Sequence, residues 1–129
     1  MRWSLLLLPL LFGWSLLLNG CDEKPAWIAP TQKWQDFSLH VETRPTTLLP
    51  GMNEFLVMAS RQQHGFVNDL VVHIRTTSSR WRQAIPDGAL GVYRRALPVR
   101  DLKHGQLFVR LDKDGTLGEL VFPLAPAQK

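Results

Sequence analysis

Residues 105–124 read Gly-Gln-Leu-Phe-Val-Arg-Leu-Asp-Lys-Asp-Gly-Thr-Leu-Gly-Glu-Leu-Val-Phe-Pro-Leu. Leu107, Val109 and Leu111 alternate with Phe108, Arg110 and Asp112, which is the period of a strand with one buried face and not that of a helix. Asp112-Lys113-Asp114-Gly115 is a hairpin turn in which glycine can supply positive φ. The return strand, Thr116–Leu124, places Leu120, Phe122 and Leu124 on one face. A lone hairpin is marginally stable in water, so this one must pack on further strands.

The rest of the chain supplies them. Phe37, Leu39 and Val41 alternate with Ser38, His40 and Glu42, and Pro45 and Pro50-Gly51 then punctuate the chain. Asn53–Ser60 places Phe55, Val57 and Ala59 on one side and Leu56 and Met58 on the other, the pattern of a strand buried on both faces or near a sheet end. Gln62-Gln63-His64-Gly65 is turn-like, and Asn68–Thr76 turns Leu70, Val72 and Ile74 inward. A polar stretch, Thr76–Arg80, leads to Trp81, and Pro86-Asp87-Gly88 is a turn signal. Ala89–Val99 sets Leu90, Val92, Arg94 and Ala96 against Gly91, Tyr93, Arg95 and Leu97. Six or seven short strands without an amphipathic helix predict an all-β fold. The expected architecture is an immunoglobulin-like antiparallel β-sandwich over residues 34–129, with a small barrel as the alternative.

The N-terminus has a different character. Arg2 and the amino terminus precede an apolar run, Leu5–Leu18, broken only by Pro9, Gly13 and Ser15. At ~1.5 Å per residue this run reaches about 21 Å, short of the ~30 Å hydrocarbon core, which suits a signal peptide better than a membrane span. It ends in Leu18-Asn19-Gly20-Cys21, and Cys21 is the single cysteine of the 129 residues. One cysteine excludes an intramolecular disulfide and a CxxC metal or redox site. The tetrapeptide resembles the lipobox of bacterial lipoproteins. That resemblance implies cleavage after residue 20, lipid on Cys21 and a mature chain held by two or three acyl chains. Asn19 is an unusual residue at its position in that motif. By the same resemblance Asp22 is a retention signal, which implies an inner-membrane protein facing the periplasm. Residues 21–33, with Lys24, Pro25, Ala29, Pro30 and Gln32, read as a lipidated tether ahead of the domain. Trp27 suits either the membrane interface or the domain surface.

Pro50-Gly51-Met52-Asn53-Glu54-Phe55-Leu56-Val57, Val71-Val72-His73-Ile74 and Gly91-Val92-Tyr93 together resemble FixH-like and YtkA-like periplasmic domains. These are membrane-attached immunoglobulin-like sandwiches, some tied to cytochrome oxidase maturation or metal handling. FixH-like proteins usually have a transmembrane helix, where a signal peptide is expected in this chain.

Chemistry-bearing residues are sparse. Fifteen Lys and Arg against 11 Asp and Glu give a formal charge of +4, with no basic helix or arm to argue for nucleic acid. Such a charge fits a solvated surface or contact with anionic lipid headgroups. Among His40, His64, His73 and His104 no pair has compact metal-site spacing. Copper could be held if some of Met52, Met58, His64 and His73 converged, since thioethers suit soft ions, but methionines also fill cores. Ser78-Ser79 lacks a nucleophile elbow, Asp112 and Asp114 have turn chemistry, and no phosphate-cradling loop is present. No catalysis, cofactor or metal is therefore expected. Arg80-Trp81-Arg82 and Tyr93-Arg94-Arg95 are richer, because Trp, Tyr and Arg dominate interface hot spots. They predict a docking patch of Trp81, Arg82, Tyr93 and Arg95 for another envelope protein. The plain alternative has Trp81 plugging the end of the core and the arginines solvated.

Overall fold

The computed structural model describes residues 25–63, 65–66, 69–88 and 91–125. The signal segment, Cys21, Asp22, His64 and Leu90 lie outside the described residues. The described residues are all-β: β1 Gln32–Trp34, β2 Phe37–Arg44, β3 Gly51–Arg61, β4 Gly65–Phe66, β5 Val71–Thr76, β6 Arg82–Pro86, β7 Val92–Val99, β8 Gln106–Lys113 and β9 Thr116–Pro123. Eight of these form one antiparallel path in the order β1-β2-β3-β7-β6-β5-β8-β9, and β4 pairs with the end of β3.

One face of this path encloses one core. Phe37, Leu39, Phe55, Val57, Ile74 and Val109 are fully buried in it, as the alternation of their strands predicts. Phe122 of β9 and Leu124 just after it join the same cluster, and Leu120 packs at its edge. The sheet curls until its edge strands, β1 and β9, touch. The Gln32 side-chain amide of β1 donates to the Val121 carbonyl of β9 at 2.7 Å. Trp34 lies over Gly118, where a Cβ would collide with the indole. The β8–β9 turn has Asp114 at φ 53° and Gly115 at φ 87°, two successive left-handed residues that suit a tight hairpin. The Asp112 carboxylate accepts from the Gly115 N–H.

Besides the two-residue β4, sequence reading misses two elements. The first is β6, which pairs with β5 through Val72↔Ala84 and Ile74↔Arg82, then with β7 through Ile85↔Arg94 and Pro86↔Tyr93. Only Ala84 of its five residues is buried, so no apolar alternation marks it. The second corrects the tether. Trp27 and Ala29 belong to the core, and β1 begins at Gln32. Trp27 meets the Phe55 ring edge-on at 6.1 Å, and its indole N–H donates to the Pro123 carbonyl at 3.3 Å. Its backbone N–H donates to the Thr46 carbonyl. The domain therefore begins by residue 25, not at residue 34.

Trp27→Ala tests this packing. It should cost about 3 kcal/mol of unfolding free energy through the cavity it leaves, read as a lower denaturant midpoint. An unchanged midpoint would return residues 25–33 to the role of a tether.

Candidate functional site

The residues expected to form a docking patch are divided by the fold. Tyr93 is 1% exposed and belongs to the core. Its hydroxyl accepts a hydrogen bond from the Leu70 N–H at 3.2 Å, and burial pushes its pKa up. Tyr93 is thus removed from any docking patch. Arg82 and Arg95 line an open groove of about 530 Å³ with Ser78, Ser79 and Arg80, beside the stretch of β7 that β6 leaves unpaired. Trp81 lies apart from that groove.

Trp81 does not plug the core either; it is half-buried, and the core cluster does not include it. Arg110 of β8 stacks over its ring at 4.1 Å, and Arg75 of β5 approaches it at 5.2 Å. Arg75 also lies 3.9 Å from the Phe108 ring centroid. The local sequence explains the arrangement. Val72 and Ile74 point inward from β5 and Leu107, Val109 and Leu111 from β8, so Arg75, Phe108 and Arg110 must point outward. Register sets Arg75 opposite Phe108, one step from Arg110. The result is a cation–aromatic ladder across the outer face, each contact worth roughly 0.5–1 kcal/mol at such exposure. Glu119 holds the Arg110 guanidinium from the far side at 3.5 Å. The sequence signal for this ladder was an aromatic and two arginines at outward parity on strands whose inner faces are apolar but for Thr76 at the end of β5.

The described members of the copper set, Met52, Met58 and His73, are not brought together. Met52 and Met58 lie six positions apart on β3, about 20 Å at strand rise. Met52 is 63% exposed at the sheet end, and Met58 pairs across with His40 on β2. His73 faces outward from β5, which does not pair with β3. His40 contacts Glu42, and His104 contacts Asp101. Among the described residues no three His, Cys, Asp or Glu side chains group as a metal site. The serines serve the backbone: Ser79 Oγ accepts from the Thr76 N–H and Ser78 Oγ from the Arg100 N–H.

The electrostatics divide along the strand direction. At the end holding the β8–β9 turn, Lys113 bonds Asp69 and Asp114, which lowers the Asp69 pKa and raises that of Lys113. At the opposite end the His104 and Lys103 backbone N–H groups donate to Asp101 and hold its carboxyl below the usual range. Comparison with protein-family models, curated proteins and solved structures finds no match.

Tyr93→Phe removes the acceptor of a buried N–H. It should cost about 1–3 kcal/mol and speed amide exchange at Leu70. A solvent-facing, patch-forming tyrosine would lose neither.

Proposed function

We propose that this chain is a bacterial lipoprotein whose domain serves as a non-catalytic interaction module at the periplasmic face of the inner membrane. In this reading residues 1–20 are cleaved, Cys21 carries the lipid and Asp22 keeps the protein at the inner membrane. The support is the conjunction of a basic start, a short apolar run, Leu18, Gly20 and a single cysteine. An immunoglobulin-like sandwich is the finer reading of the fold. It is supported by β2-β3-β7 forming one antiparallel half and β5-β8-β9 the other, with β6 paired to both. In chain order these match the A-B-E and C-F-G sets of that fold, with β6 as the strand between them.

One observation carries the interaction reading: a tryptophan kept out of the core and held on the outer face by arginines from two strands. An indole and guanidinium groups already ordered lose little further freedom on binding, and Trp and Arg are the residues that anchor interfaces. The partner is another envelope protein with a surface that can stack on this ladder.

In-cell photocrosslinking tests it. A photoreactive residue at Gln83, beside the ladder on β6, should give a discrete adduct, while one at Glu42 of β2 should not. Trp81→Ala with Arg110→Glu should abolish the adduct and leave the protein level unchanged. No adduct at Gln83, or one indifferent to both substitutions, contradicts the reading.

A further inference from the structure

The described chain starts at one end of the sheet, and that end differs in charge from the other. Thr47 Oγ1 donates to the Pro25 carbonyl at 3.1 Å, which places residue 25 beside the loop between β2 and β3. Leu48 and Leu102 share a cleft with Trp27 and Leu124, bringing the β7–β8 loop alongside. The Arg100 N–H bonds Ser78, bringing the β5–β6 loop to the same end. These three loops and the strand ends that bear them carry Arg44, Arg80, Arg100 and Lys103, all exposed, against two carboxylates, Asp101 and the Glu54 that register sets opposite Arg44. None of these four cations forms an ion pair among the described residues. The opposite end has an excess of carboxylates: among the described residues its turns and strand ends hold Asp36, Asp69, Asp87, Asp112 and Asp114 against Lys33, Arg61, Arg94 and Lys113. Eight-residue strands separate the two ends by about 27 Å, several screening lengths at physiological salt. A charged surface at one end is therefore felt there and not at the other.

We propose that the end carrying Arg44, Arg80, Arg100 and Lys103 is a membrane-seating surface for anionic phospholipid headgroups. The proposal rests on the lipoprotein reading for its geometry. Cys21 lies four peptide steps before Pro25, a reach of at most about 14 Å, so lipid on Cys21 holds this end against the bilayer. Leu49, 39% exposed at the tip of the β2–β3 loop, and Ile28, 75% exposed, supply apolar groups at headgroup depth. Tethering keeps the surface at high local concentration, so individually weak headgroup contacts suffice to orient the domain. Seated this way, the domain stands with its strands along the membrane normal, the Trp81 ladder on its flank and the acidic turns pointing away.

Hydrogen exchange of the full-length chain, produced in a bacterium and reconstituted in vesicles, tests the surface. Two compositions are compared: phosphatidylcholine alone, and equal parts phosphatidylcholine and phosphatidylglycerol. On the anionic vesicles exchange in 45–50 and 100–105 should slow several-fold, with 112–116 unchanged. Arg100→Glu with Lys103→Glu should remove that protection while β5 and β8 exchange as in the parent. No slowing in the two loops, equal slowing at 112–116, or protection that survives charge reversal overturns the proposal. Retention on phosphatidylcholine vesicles in high salt reports the lipid anchor separately. A chain that washes off there yet still protects its loops on anionic vesicles would lack the anchor and keep the seating surface.

Discussion

Trp27 meets Phe55 edge-on and donates its indole N–H to Pro123, and this contact joins the beginning of the described chain to its last strand. It covers one end of the core with Leu48, Leu102 and Leu124 close by. It also fixes where the preceding residues must leave the domain. Lipid on Cys21, six residues before Trp27, would keep this end of the domain within reach of a bilayer. The proposed orientation of the domain on a membrane needs that contact, the proposed lipid and the headgroup contacts of the basic end together.

The sheet meets a second constraint, the burial of one face of eight strands in one core. It does so by bending at β6, which gives Ala84 to the core and divides its backbone pairing between β5 and β7. It closes through Trp34 on Gly118 and Gln32 on Val121, so the edges of β1 and β9 cover each other. Where β6 leaves β7, a groove remains, lined by Arg80, Arg82 and Arg95. The groove and the ladder are both by-products of the same strand crossing. Arg82 continues along β6 into the groove, while Trp81, one residue earlier, falls over Arg75 and Arg110.

What could be read from the sequence follows the reach of each contact. The β8–β9 hairpin, β2, β3 and β5 are local patterns, and their alternation predicts which side chains are buried. Leu70, Val72 and Ile74 turn inward as their spacing requires. Trp27 finds its acceptor 96 residues away, which no window of sequence reveals. β6 carries exposed Gln83 and Ile85 around one buried alanine, so it lacks a period. Tyr93 sits in a stretch with apolar residues on both parities, and only its pairing with Val57 decides that it faces inward. The expected docking patch loses Tyr93 at that point. Tyr93 and Trp81 lie near each other in the chain but on opposite faces of the sheet. The arginines that meet Trp81 come from β5 and β8, whose register brings them together.

The proposed anchoring and seating of the domain both depend on lipid at Cys21. Intact mass of the protein recovered from bacterial membranes tests it most directly. The predicted species begins at Cys21, lacks residues 1–20 and carries the added mass of a diacylglyceryl group, with or without a further acyl chain. An unmodified Cys21, or a membrane-recovered chain that still includes residue 1, would contradict the account at its base.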